Sequence, residues 1–197
     1  MPMIRETIVT TADSRGEVHI APLGIIADGE GWIIAPFHPS MTLDNLRAVP
    51  FAIANHTDDV RIFAGCLTGR RDWPTTPCRE SSVPRLAHAL AYQVLAVTHV
   101  REDELRPRFH CRVVHQEGLT PFAGFNRAQA AVIEAAILVS RLSMLPREKV
   151  EREIDYLRNA VSKTAGPAEE TAWGWLMERV RGYYAGLDTP PPGETGG

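Results

Sequence analysis

The chain has 197 residues, 44% hydrophobic and 23% charged, with a formal net charge of −3. That supplies enough apolar material for one domain with a sizeable core, or one domain plus a helical appendage. The slight acidic balance argues against a broad nucleic-acid surface; no apolar run reaches a membrane span and the N-terminus lacks a signal-peptide core, so a cytoplasmic location is expected.

The first half reads as strands. Met3 to Ala12 is rich in β-branched residues, Asp13-Ser14-Arg15-Gly16 is a turn signal, and Glu17 to Ala27 is a second strand. Asp28-Gly29-Glu30-Gly31 turns again into a third strand, Trp32 to Ala35. A short helix carrying Ser40, Thr42 and Asn45 follows, then a strand over Phe51 to Asn55 and another over Val60 to Cys66. Residues 68 to 86 hold Trp73, Pro74, Pro77 and Pro84 and read as a long loop. Tyr92 to Val100 and Phe109 to His115 form a hairpin around "REDELRPR". Regular turns with one inserted helix point to a closed or nearly closed antiparallel barrel.

The period then changes. Phe125, Ala128, Val132, Ala135, Val139 and Leu142 fall at helical steps of three and four. Pro146 opens a second helix to about Ala165, Gly166-Pro167 breaks it, and a third spans Ala168 to Ala185. The tail "DTPPPGETGG" has the composition of a disordered segment. The expected fold class is α+β, with a barrel domain over 1–120, a helical domain over 121–186 and a tail over 187–197.

Four stretches carry candidate chemistry. Ser40 suits an N-cap; the amides after it lack intrahelical partners and, with the helix dipole, favour an anion. The Ser40 and Thr42 hydroxyls add donors, and Asn45 either pins the loop or reaches the ligand. Asp44 opposes an anion unless it points away, and Arg47 offsets it. The plain alternative is a capped connecting helix that binds nothing. "HIAPLGI", His19 to Ile25, places Pro22-Leu23-Gly24 inside a strand, which marks an edge kink or a backbone against which something flat lies. "NHTDD" ends a strand with Asn55, His56 and Thr57, either a turn or the reader of a ring edge. Arg127, Glu134 and Arg141 recur every seven residues, as a solvated stripe or as a means for Arg127 to reach an anion. The three cysteines have no CxxC spacing and the seven histidines no HxxxH or HExxH, so neither a disulfide framework nor a metal is expected. No catalytic residue stands out.

"ETIVTT", "APLGI", "PF" followed by Ser-x-Thr-x-x-Asn-Leu, "NHTDDV" and "FNRAQAAVIEAAI", in that order, resemble the family catalogued as domain of unknown function 447, over roughly residues 3 to 185. The family occurs in methanogenic archaea and in some bacteria, including methylotrophs. The resemblance implies an FMN-binding split barrel of the flavin reductase type followed by a small three-helix domain. It also implies a homodimer with FMN at the subunit interface. The phosphate would sit at Phe37, Ser40, Thr42 and Asn45, the isoalloxazine ring along Pro22, Leu23 and Gly24, and Asn55, His56 and Thr57 near the ring or ribityl chain. The implied activity is a flavin-dependent oxidoreductase or flavin reductase acting on a small-molecule redox substrate. The alternatives are a non-catalytic flavin carrier and, by the methylotroph association, a protein of tetrahydromethanopterin-linked one-carbon metabolism.

Overall fold

The structure, a computed structural model, describes residues 2–188 and, at 187 and 188, the backbone alone. In chain order its elements are β1 (Ile4–Ala12), β2 (Val18–Asp28), β3 (Gly31–Ile34), α1 (Met41–Ala48), β4 (Phe51–His56), α2 (Val60–Leu67), β5 (Thr75–Cys78), β6 (Ser81–Leu86), β7 (Ala91–Arg101), β8 (Arg108–Gly118), α3 (Arg127–Val139), α4 (Arg147–Thr164) and α5 (Pro167–Asp188). They form two compact units. The first comprises the residues up to Asp58 with Arg71–Gly124; the second comprises Asp59–Arg70 with the residues from Phe125 onward.

The first unit is a closed six-stranded barrel in the order β1-β2-β3-β8-β7-β4, antiparallel throughout. Alternation along the strands separates two faces. Val9, Ile25, Ile34, Ala52, Ala54, Leu95 and Phe109 form one apolar cluster, and Leu43 and Leu46 of α1 pack into it. α1 therefore buries Thr42, Leu43, Asn45 and Leu46 and exposes Met41, Asp44 and Arg47, the spacing of a helix with one wet face. A second cluster, Ala12, Ile53, Tyr92 and Val94, is covered by Val83 of the β5–β6 hairpin.

β2 outruns β3. Only Ile26–Asp28 pair with β3, whereas Val18–Ile26 pair with β1. Pro22 lies in the stretch beyond β3, where no β3 partner loses a ladder bond to its missing N–H.

The second unit is helical. Val60 and Ala64 of α2 share a core with Val132, Ala135 and Val139 of α3, Val150 and Ile154 of α4, and Ala172, Leu176 and Val180 of α5. Among the described residues no helix is long and apolar enough to cross a membrane.

Four expectations change. Val60 to Cys66, read as a strand, is the helix α2. A short apolar run fits either element; here it is a helix, with Asp59 accepting from the Arg61 N–H as its N-cap. That helix joins α3, α4 and α5, so the helical unit contains four helices rather than three and borrows a segment from within the first half. Residues 68 to 86 are not one loop: Thr75–Cys78 and Ser81–Leu86 pair as a two-stranded sheet, with Pro77 at its bulge, where a missing ladder donor is tolerated. The tail expected over 187–197 begins within α5, and from residue 189 it lies outside the described residues.

Candidate functional site

Ser40 has an extended backbone (φ −161°, ψ 150°), and its Oγ accepts from the Leu43 N–H at 3.3 Å. Asp44 N–H donates to the Ser40 carbonyl at 3.1 Å and so closes the first helical turn. The amides of Met41 and Thr42 are left without an intrahelical acceptor, and the Ser40 hydroxyl keeps its own proton to donate. Asp44 is exposed, and Arg47 is engaged by Glu102 at 2.9 Å, so the offset expected from Arg47 is shared with that carboxylate.

The segment entering α1 is held by the loop between β7 and β8, next to β3 in the barrel. Arg106 donates to the Ala35 carbonyl, its guanidinium lies over the Phe37 ring, and His38 N–H donates to Leu105 O at 2.8 Å. Phe37 remains 57% exposed, with Met41 and Leu105 as further exposed apolar side chains on this side. Beside them a hollow of about 470 Å³ is lined by His38, Arg47, Glu102, Asp103 and Glu104. Its three carboxylates make it a poor seat for an anion. The helix end, with its free amides, is the better one.

The strand stretch Pro22-Leu23-Gly24 pairs with Ile8, Thr7 and Glu6, and Thr7 Oγ1 donates to the Leu23 carbonyl at 3.0 Å. A Cβ at Gly24 would press on the side chains of Ile4 and Glu6, so that face of Gly24 is already filled.

Two of the candidate asparagines turn inward. Asn45 points into the barrel and donates from Nδ2 to Thr11 Oγ1 at 3.1 Å; of its two readings, pinning is the one realised. Asn55 is 0% exposed. Its Nδ2 donates to Ile8 O at 2.9 Å and Ile53 O at 3.2 Å, and its Oδ1 accepts from Leu86 N–H at 2.8 Å. It ties β1, β4 and β6 together and presents no free edge to a ring. The cause is parity: Asn55 follows Ile53 on the strand face that the β5–β6 hairpin covers.

His56, next on β4, is half-buried and lines a cavity of about 280 Å³ with Tyr92, Gln93, Gln116 and Glu117. Burial holds its imidazole below the usual value, Arg5 adds to this, and a bond with Gln93 opposes it. Thr57 is half-buried just beyond the strand. Arg127 is exposed at the first turn of α3, behind Asn126, whose Oδ1 accepts from Ala128 N–H at 2.7 Å. It belongs to the helical unit, whereas the other candidates belong to the barrel.

Other polar clusters lie elsewhere on the barrel. His110 Nδ1 is 2.7 Å from Asp28 Oδ2, and its ring stacks on His99 at 4.1 Å. His115 lies within 4.0 Å of both Glu80 and Glu117. Among the described residues the three cysteines form no disulfide, and no group of three or more His, Cys, Asp or Glu is arranged to hold a metal. Sequence reasoning missed Arg106. It lies 71 residues from the carbonyl that it binds, and nothing local marks it except its place in a polar hairpin loop.

Comparison with known proteins follows the same lines. An FMN-bound protein from Methanosarcina mazei is 22% identical, with 91% of this chain and 96% of that one aligned at a TM-score of 0.77. The 2-nitrobenzoate 2-nitroreductase NbaA of Pseudomonas fluorescens is 20% identical over 60% of this chain and 66% of that one, with a TM-score of 0.50. A protein with a split barrel domain from Shewanella frigidimarina is 10% identical over 63% and 74%, with a TM-score of 0.53. At these identities the likeness shows the fold alone, a split barrel. No curated protein matches the chain. Residues 5–119 match the model described as "Protein of unknown function (DUF447) N-terminal domain" and residues 126–178 the one described as "Protein of unknown function (DUF447)", so the chain belongs to the DUF447 family.

Proposed function

We propose that this chain is an FMN-binding protein, a flavin-dependent oxidoreductase or flavin reductase that acts as a homodimer with the cofactor at the subunit interface. The observation that carries the reading is the N-terminus of α1, where the Ser40 cap leaves the Met41 and Thr42 amides and the Ser40 hydroxyl able to donate. It is supported by the family member from Methanosarcina mazei, which is FMN-bound and aligns over 91% of this chain.

The residues present fit such a cofactor. A phosphate dianion matches two backbone donors, a hydroxyl and a helix dipole. Ser40, Thr42 and Phe37 form its surroundings. Pro22 and Leu23, on the stretch of β2 that β3 does not cover, offer a backbone for a flat ring. His56, whose imidazole is held below its usual value by burial, stands at the end of β4 as a polar neighbour. Asn45 and Asn55 act behind this surface and fix α1 and β4 in place. Flavin, when bound, supplies hydride and electron transfer, so the protein needs no nucleophile of its own.

The test is a visible spectrum of the purified protein and a titration with FMN, repeated for the double variant Ser40→Ala, Thr42→Ala. Loss of the Ser40 hydroxyl as a donor to a charged phosphate, together with the buried Thr42 hydroxyl next to the cap, is expected to weaken binding by about 1–3 kcal/mol. A protein that takes up no FMN at high micromolar concentration, or a double variant that binds as tightly as the parent, refutes the assignment. Reduction of the bound flavin by NADH or NADPH in stopped flow separates an enzyme from a carrier. Gel filtration with light scattering tests the dimer.

A further inference from the structure

The loop between β7 and β8 closes on the segment that leads into α1. Arg106 donates to the Ala35 carbonyl from Nε at 3.1 Å and from Nη2 at 2.7 Å. Its guanidinium carbon lies 4.4 Å from the centre of the Phe37 ring. One residue earlier, Leu105 O accepts from His38 N–H at 2.8 Å. The loop is itself braced: Asp103 Oδ1 accepts from the N–H groups of Leu105 and Arg106 at 2.9 and 2.8 Å, and Glu102 pairs with Arg47 of α1 at 2.9 Å. Contacts at Ala35, Phe37, His38 and Arg47 thus bracket Ser40 from one loop.

The demand for such a clamp follows from the local chain. Residues 35–40 join β3 to α1 without belonging to either. A ligand gripped by backbone amides at the far end of that segment gains affinity only if the segment is ordered beforehand; otherwise binding bears the cost of ordering it. Arginine suits the task, because a planar fork reaches one carbonyl with two donors while its face stacks on an aromatic ring, and an ammonium cannot do both.

We propose that Arg106 is a positioning residue for the phosphate end of the flavin site: it fixes the Ala35–Pro39 segment so that the Met41 and Thr42 amides meet the phosphate in one geometry, and it thereby sets the preference for a phosphorylated flavin over riboflavin. The proposal rests on the reading of the α1 N-terminus given above. Arg106 acts through Ala35 and Phe37.

The experiment uses the full chain as Arg106→Met and Arg106→Lys, titrated with FMN and with riboflavin by flavin fluorescence and melted without ligand. Both variants are expected to weaken FMN on the order of tenfold or more while riboflavin affinity stays at the parent's level. Lysine does not rescue, and the unliganded melting temperature holds. Should Arg106→Met not fold, Arg106→Lys, which keeps the charge and loses the fork, carries the comparison. If either variant keeps the parent's preference for FMN, or loses both flavins equally together with its melting temperature, Arg106 has no positioning role. If the parent itself binds FMN no better than riboflavin, the phosphate assignment at α1 fails first, and this inference with it.

Discussion

Asn55→Ala tests how the barrel is held, because one fully buried side chain joins three strands. The substitution removes the Oδ1 that accepts from Leu86 N–H and the Nδ2 that donates to Ile8 O. Leaving the buried Leu86 amide without a partner costs about 1–3 kcal/mol, and the lost bond to Ile8 O contributes about 1 kcal/mol more. Adding a small cavity, the expected loss is about 3 kcal/mol, a large share of the roughly 5–15 kcal/mol that stabilises a typical domain. In equilibrium urea unfolding, where slopes run about 1–3 kcal/mol per molar, the midpoint should fall by about 1–3 M with little change in slope. Hydrogen exchange should locate the weakening in the β5–β6 hairpin, since Asn55 is what binds the Leu86 amide. A loss below about 1 kcal/mol, accompanied by a drop in FMN affinity, would refute this reasoning and return Asn55 to the ring-side role first expected of it.

Other consequences can be measured. Gly31→Ala would drive a methyl group into the Cys111 carbonyl oxygen of the neighbouring strand. It should cost about 1–3 kcal/mol in thermal or urea unfolding and speed exchange in β3 and β8, and a neutral outcome would mean that β3 shifts freely. His56 and His19 both have imidazoles held below the usual value of 6.5, chiefly by burial. The unfolded chain therefore binds more protons just below that value, so stability should decline as pH falls through it, and His56→Gln should flatten the slope. Urea midpoints at about pH 7.5 and about pH 5.5 check this, and an unchanged slope in the variant counts against it.

Much of the barrel was legible because strands covered on one face announce themselves by alternation and by the Gly and Asp turns between them. The Ser40 cap was legible because a hydroxyl before a short amphipathic run has few other uses. Two elements were not. Val60–Leu67 is too short for period to separate strand from helix, and what makes it helical is a set of α3, α4 and α5 side chains far along the chain. The β5–β6 hairpin hides behind its prolines. At the candidate site, the sequence marks the residues around the N-terminus of α1 but not which way they face. Asn45 and Asn55 look like ligand readers in a string of letters, and strand and helix parity turns both inward. Arg106 was invisible because its partners are a backbone carbonyl and an exposed ring that no motif records.

The excursion of residues 59–70 into the helical unit has a bearing on how the chain is made. When α2 leaves the ribosome, the helices that receive Val60 and Ala64 do not yet exist, and α5 ends 121 residues after Leu67. At ordinary translation speeds the delay is on the order of ten seconds, during which an apolar helix in the middle of a nascent barrel has no home. Cutting the gene at the apparent border near residue 120 would make that interval permanent. A soluble barrel fragment would therefore have to lose 59–70 as well as everything after 124, with a short polar turn sewn in to carry the strand from Asp58 to Arg71.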